Sequence, residues 1–390
     1  MSAWKTASLG EIFDIARGGS PRPIQDYLTD DPDGVNWISI SDASASDKFI
    51  TETKKRIRPE GVSRSRMVKA GDFLLTNSMS FGRPYIMGTS GCIHDGWLVL
   101  SSKRDEVDQD YFFHLLGSDF IYAKFTKLAA GATVKNLNID LVSGVEVSFP
   151  PQEEQRRIAA ILDQAETLRC QRRAALAQLD SLTQSIFLDM FGDPVTNPKG
   201  IRKAALVDVA EISTGSTPGR GADGYYDGSI PWVKTTEVSG GVIRDTEEKL
   251  TDAGLRAIRG KLHPVDSILV AMYGQGQTRG RCALLGIEAS CNQACGVIKP
   301  NQSFLPSFMF VQLSLAYVRL RALGRGGNQE NLNLQLLGSF DVLLPPLPLQ
   351  QTFATRIQAI ESLKTTHRTA LAELDALFAS LQQRAFAGEL

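Results

Sequence analysis

The sequence predicts an α+β protein of two related globular domains, each followed by one long helix. Two observations carry this. Segments recur at an offset of 195 residues, and the closest match between copies is a pair of heptad-patterned stretches. The remainder consists of short β-compatible runs punctuated by Gly, Asn, Asp and Ser, with brief helical segments such as 110–125 and 306–323. Duplication implies a pseudo-two-fold, so the expected arrangement is two pseudo-two-fold-related domains separated by a pair of long antiparallel coiled-coil helices. The expected boundaries are 1–149, 150–192, 193–344 and 345–390.

In the first globular part, Leu9 to Pro21 is an amphipathic stretch turning into a Gly-containing loop closed by proline, and Leu206 to Pro218 repeats it. Trp37 and Trp232 follow as strand entries and are expected to be core anchors. Core strands come next, at Asp72-Phe73-Leu74-Leu75 and at Asp266-Ser267-Ile268-Leu269. Gly82-Arg83 and Gly280-Arg281 lie at the far side of a loop that is longer in the second copy. Each globular part ends on a matching tail, Asn136-Leu137-Asn138 to Pro151 and Asn331-Leu332-Asn333 to Pro346. A repeated asparagine there suits a turn better than a ligand contact.

The double prolines stop the last strand and launch a helix, because proline fits the first helical turn and not its interior. Glu153 and Glu154 suit the positive end of the helix dipole. An apolar seam then reads Ile158, Ile161, Ala165, Leu168, Arg172, Ala175, Leu179, Leu182, Ile186. Its copy reads Phe353, Arg356, Ile360, Leu363, His367, Ala370, Leu374, Leu377, Leu381. Each helix would span about 60 Å. Arg172 and His367 are the polar breaks, and symmetry about the helix middles is expected to bring them together as a register-setting pair. The opposed reading has both snorkel outward while Leu176 and Leu371 fill the gap. Gly192-Asp193-Pro194 and Ala387-Gly388 end the helices.

Composition narrows the function classes. The chain has 390 residues, 43% hydrophobic and 22% charged, which is ordinary for two or three globular domains. No apolar run is long enough to span a membrane and the N-terminus lacks signal-peptide character, so a cytoplasmic protein without membrane contact is expected. The five cysteines have no paired spacing and are expected to be reduced thiols rather than zinc ligands. A net charge of −1 is silent about partners, but Lys48 to Lys69 holds eight basic residues against Glu52 and Glu60. Arg319, Arg321 and Arg325 form a second cluster. Such patches attract phosphates.

Taken together, the loop openings Gly18-Gly19-Ser20-Pro21 and Gly215-Ser216-Thr217-Pro218, Trp37 and Trp232, and Pro150-Pro151-Gln152-Glu153-Glu154-Gln155 leading into the first long helix resemble the specificity subunit of a type I DNA restriction-modification enzyme. The resemblance covers the full length. The second helix entry, Pro345-Pro346-Leu347-Pro348-Leu349-Gln350, departs by placing Leu349 where the first has Glu154. The resemblance implies two target recognition domains, each reading half of a bipartite sequence in double-stranded DNA, with an unread spacer set by the helices. It further implies a non-catalytic chain on which two modification (methyltransferase) subunits dock to methylate adenine at N6. S-adenosylmethionine is then expected on those subunits, and ATP with Mg on restriction/translocase subunits, with no cofactor on this chain.

The residues independently argue against catalysis. Gly274 to Gly280 places Arg279 where a dinucleotide fingerprint needs glycine, and Gly260-Lys261 lacks the upstream glycine of a P-loop. Glu52-Thr53-Lys54 and Glu247-Glu248-Lys249 have nuclease-like spacing that also arises by chance in charged loops, and the four histidines are scattered. A tethering scaffold for non-DNA ligands is the alternative class; indifference to competing nucleic acid would mark it.

Base reading needs side chains with two fixed hydrogen-bonding groups on loops able to enter a groove. In the first domain these are Arg17, Arg22, Arg83 and Lys135, with Asn77 and Asn136 behind them. In the second, residues that differ between copies rank first: Tyr225, Tyr226, Tyr273, Gln275, Gln277, Arg279 and Gln329. The shared Arg83 and Arg281, with Lys54, Lys55, Arg56 and Arg58, are expected to hold backbone phosphates.

Overall fold

The computed structural model describes residues 4–44, 46–77, 81–130, 136–221, 224–274, 276–324 and 331–390, with Ser44 and Ala130 described by their backbone alone. Two compact units emerge, Met1–Arg173 with Thr369–Leu390, and Ala174–Arg368. Each long helix is therefore shared: Gln152–Phe191 (α1) and Leu347–Ala387 (α2) each give one half to either unit.

In the first unit, strand Lys5–Ser8 pairs antiparallel with Glu146–Phe149, so the entry of the domain is tied to the strand that feeds α1. A five-stranded sheet runs in the order Phe13–Arg17, Trp97–Ser102, Phe73–Thr76, Pro84–Met87, Phe49–Ile50. A second runs Leu28–Thr29, Lys55–Ile57, Val35–Ile38, Gly91–Ile93, Arg66–Val68. The expected helix over 110–125 is two helices, Gln109–Leu116 and Asp119–Ala130, broken at Gly117.

The second unit repeats this plan. Lys203–Ala205 pairs with Asp341–Leu343, and a five-stranded sheet runs Ile212–Thr214, Cys295–Ile298, Ile268–Ala271, Cys282–Leu285, Val242–Ile243. Its other sheet has three strands, Glu248–Leu250, Tyr226–Val233, Ser290–Cys291. Where the first domain has strand Arg66–Val68 on Gly91–Ile93, the second keeps a single bridge, His263 to Ala289. The helical segment at 306–323 is again two helices, Pro306–Leu315 and Tyr317–Leu323.

Local chemistry explains the matching tails. Asn138 and Asn333 accept from the backbone N–H groups of Leu141 and Leu336, each at 2.8 Å, capping a short helix. Trp37 and Trp232 are buried. The glutamine that both helix entries share is fully buried. Gln155 accepts from Asp108 N (2.9 Å) and donates to the carbonyls of Pro150 (2.8 Å) and Glu106 (3.1 Å). Gln350 accepts from Leu305 N (2.8 Å) and donates to Pro345 (2.8 Å). A buried amide so used fixes the strand-to-helix corner, since any of these backbone groups left unpaired would cost more than the bond contributes. Gly192 and Gly388 end the helices at φ 76° and 78°, the left-handed region that glycine tolerates.

Within each unit the halves of α1 and α2 run antiparallel. In the first unit, Arg157 donates to the Leu390 carbonyl and Arg169 pairs with Asp375 at 2.6 Å. In the second, Lys364 pairs with Asp180 at 2.8 Å. These two ion pairs are equivalents under the 195-residue repeat. Arg172 and His367 are both half-buried and engaged.

Part of each predicted seam is displaced. Ile158, Ala165, Phe353 and Ile360 face inward, but Leu168 (43% exposed), Leu182 (45%), Leu363 (52%) and Leu377 (49%) do not. The inward positions are one residue on: Leu162, Arg169, Ile357 and Lys364, with Phe378 packed against the first core. Lys364 is 5% exposed and the Arg169 guanidinium lies 4.4 Å from the Phe378 ring centre. Long cationic side chains cover apolar surface with their stems, so an inward-facing Arg or Lys is invisible to hydrophobic periodicity.

Candidate nucleic-acid interface

The proline-closed loops are held by close backbone approach. A Cβ on Gly18 would sit 2.0 Å from the His94 carbonyl oxygen and one on Gly215 1.9 Å from that of Cys291, so only glycine fits. Gly19 N donates to the Ile93 carbonyl at 3.1 Å and Ser216 N to that of Cys291 at 2.9 Å. Around this shared skeleton the side chains differ. Arg17 donates to the Asp95 carbonyl (3.1 Å) and Ser20 to its carboxylate (2.8 Å); Arg22 pairs with the same carboxylate at 3.2 Å. The Ser20 hydrogen bond, aided by the neighbouring His94 and Arg22, holds the Asp95 carboxyl below its usual range. In the second domain Thr214 donates to the Gln293 carbonyl at 2.9 Å and Thr217 to its side-chain oxygen.

Arg17 and Arg22 are thus both exposed and gathered at one acidic residue, beside a cavity of about 310 Å3 that also borders Trp37 and His94. Lys54, Lys55 and Arg58 are exposed on and beside strand Lys55–Ile57. Arg56 departs from its expected phosphate role. It is half-buried and its Nη1 donates to the carbonyls of Asp31 (3.4 Å) and Pro32 (2.7 Å), bracing a turn. Arg83 is exposed and lies over the Tyr85 ring at 5.1 Å. Asn77 is buried and donates to the Asp95 carbonyl at 3.0 Å, so it shapes the loop; Asn136 is half-buried. Lys135 lies outside the described residues.

In the second domain Tyr273 and Gln277 are exposed. Arg279 is 7% exposed, and a side chain inside the domain cannot reach a base edge without a change of conformation, which corrects its expected role. Arg281 donates to Gln277 Oε1 (2.8 Å) and to the Ser239 carbonyl (3.3 Å); the Tyr317 hydroxyl donates to the Gln277 carbonyl (2.9 Å) and accepts from Arg321 (2.8 Å). Arg281 is therefore a loop brace. Its counterpart Arg83 projects outward. Tyr226 donates to the Pro218 carbonyl at 2.9 Å and packs edge-on to Trp232; Tyr225 is half-buried. Gln275 and Gln329 lie outside the described residues.

Sequence reasoning missed Arg220. Its guanidinium lies 4.8 Å from the Tyr226 ring centre and 5.7 Å from that of Trp232, and it pairs with Glu248 at 2.8 Å. The signal was present, because Arg220 lies two residues after Pro218, close to the place that Arg22 holds directly after Pro21. Among the described residues no cluster of three metal-ligating side chains occurs, and no helix is long and apolar enough to cross a membrane. The five cysteines are free thiols.

The family model for the type I restriction modification DNA specificity domain matches twice, at residues 1–178 and 198–376. The type I restriction enzyme MjaIX specificity subunit of Methanocaldococcus jannaschii is 21% identical over 92% of this chain and 86% of its own length. The StySPI specificity subunit of Salmonella potsdam is 21% identical over 99% and 89%. Among solved structures, the S subunit of a type I system from M. genitalium superposes with a TM-score of 0.57 at 14% identity, covering 99% of this chain and 96% of that one. The duplicated match and the repeated fold agree: the chain belongs to the family of type I restriction–modification DNA specificity subunits, the non-catalytic components of those systems that carry DNA sequence recognition.

Proposed function

We propose that each domain reads one half of a bipartite sequence in double-stranded DNA, leaving an unread spacer, and that the chain so directs adenine-N6 methylation and restriction by partner subunits. Two modification subunits bring S-adenosylmethionine, and restriction subunits bring ATP and Mg, in the cytoplasm. The observation that carries the reading is the retention of one bonded skeleton in both domains while the exposed side chains around it differ. Gly18 and Gly215, Trp37 and Trp232, and the buried Gln155 and Gln350 repeat; Arg17, Arg22 and Asp95 become Thr214, Gly219 and Gln293. Two equal scaffolds with unequal faces suit two different half-sites. The exposed Arg17, Arg22, Lys54, Lys55, Arg58 and Arg83 supply donors for bases and phosphates in the first domain. Tyr225, Tyr273, Gln277 and Arg220 supply them in the second.

Co-expression with a modification partner, followed by mapping of methylated adenines, tests this. The expected result is a two-part motif with a fixed gap, and Arg22→Ala relaxes one part while leaving the other intact. A continuous motif, or equal loss at both parts, would overturn it.

A further inference from the structure

The second domain holds a cavity of about 260 Å3 whose wall includes Ser213, His263, Arg259, Lys261, Lys299 and Glu211. Two of its polar atoms are buried without a hydrogen-bond partner, Ser213 Oγ and His263 Nδ1, and His263 as a whole is 4% exposed. Unpaired buried polar atoms are disfavoured unless something outside the protein completes them. The volume has room for several waters, so one bridging water does not fill it.

The first domain shows what this site replaces. Ser213 pairs with Val297 as Ala16 pairs with Val99, and His263 bridges Ala289 as Val68 pairs with Gly91. Ala16 and Val68 belong to one apolar cluster with Val99 and Trp97. Two positions that are apolar in one copy are polar in the other, side by side, at the wall of a cavity. Around them stand three cationic side chains against one carboxylate. Lys299 is bound to Glu211, while Arg259 and Lys261 are exposed. Hydroxyl and imidazole donors beneath an excess of positive charge suit a tetrahedral oxyanion.

We propose that this cavity is a phosphate site particular to the second domain, with Ser213 and His263 donating at its floor and Arg259, Lys261 and Lys299 supplying charge at its rim. The phosphate comes from a DNA backbone or from a free phosphate anion. The site stands apart from base reading, because its occupancy by free phosphate needs no DNA.

The test uses the full chain and the double variant Ser213→Ala/His263→Val, which carries the residues of the first domain at these positions. Titration with inorganic phosphate, followed by calorimetry and by melting temperature against matched sodium chloride, is expected to show binding by the unmodified chain and none by the variant. Lys261→Gln, an exposed change, is expected to weaken binding several-fold without altering the fold. DNA binding by the chain with its modification partner then separates the sources. If the phosphate is a backbone one, the double variant lowers affinity for any duplex about tenfold and reduces the salt slope by about one. Phosphate binding lost with DNA affinity unchanged assigns a free anion. Equal phosphate response and equal DNA affinity in variant and unmodified chain would overturn the site, and would leave the half-site reading untouched because that rests on the methylation motif.

Discussion

The first and second domains are built from one plan and finished differently, and the difference sorts their residues. What repeats is what holds the backbone: the glycine pressed against a carbonyl, the buried tryptophan, the asparagine cap, the glutamine at the helix entry. What differs lies around that frame, at Arg17 and Thr214, Asp95 and Gln293, Ala16 and Ser213, Val68 and His263. A duplicated protein thus carries its own control, since each domain shows what the other would be without its specialisation.

The helix entries give the largest test of that control. Gln155 satisfies three backbone groups and Gln350 two, so Gln155→Ala is expected to cost about 3 kcal/mol and Gln350→Ala about 2 kcal/mol. Urea denaturation of the full chain would measure both, and equal or negligible losses would break the assigned roles. Next comes the exchange at the cavity. Ser213→Ala is expected to stabilise the phosphate-free chain by about 1 kcal/mol by removing an unpaired hydroxyl, whereas Ala16→Ser, which creates one, is expected to cost a similar amount. Melts in phosphate-free buffer would show opposite signs.

The two seam ion pairs offer a smaller effect. Asp375 and Asp180 are both substantially exposed, so Arg169→Met and Lys364→Met are expected to change stability by less than about 1 kcal/mol. Arg169 should be the costlier because it also covers the Phe378 ring. A loss of several kcal/mol at either would show that the pair sets register more strongly than its exposure suggests.

The smallest expected effect is the pH dependence that His263 gives the second domain. Burial, reinforced by Lys299 and opposed by Glu211, holds the His263 ring neutral below its usual value of 6.5. Arg259 and Lys261 border the same cavity and add to the positive side. Below 6.5 the unfolded chain binds a proton that the folded chain refuses, so this contribution is present above that pH and is lost progressively as pH falls below it toward the lower folded-state value. His263→Val should flatten that part of the stability profile between about pH 7.5 and about pH 5.5, and an unchanged slope would remove His263 as its source.

The candidate interface was legible only in part, for a physical reason. A basic residue in a loop reads the same in sequence whether it faces solvent, as Arg22 and Arg83 do, or is spent on its own fold, as Arg56 and Arg281 are. Arg220 was overlooked because its ring partners come from Tyr226 and Trp232, a strand away in sequence.

The sequence alone determined the duplication, the two α+β domains, the paired long helices with their proline starts and glycine stops, and the family. These follow from spacing and residue type, which act locally and survive divergence. Tertiary structure alone decided that the inward face of each helix takes in Arg169 and Lys364, which bury their stems while pairing their charges and which periodicity counts as outward. It alone also decided that Ser213 and His263 meet at one cavity, because two residues fifty positions apart become neighbours only when strand pairing brings them there.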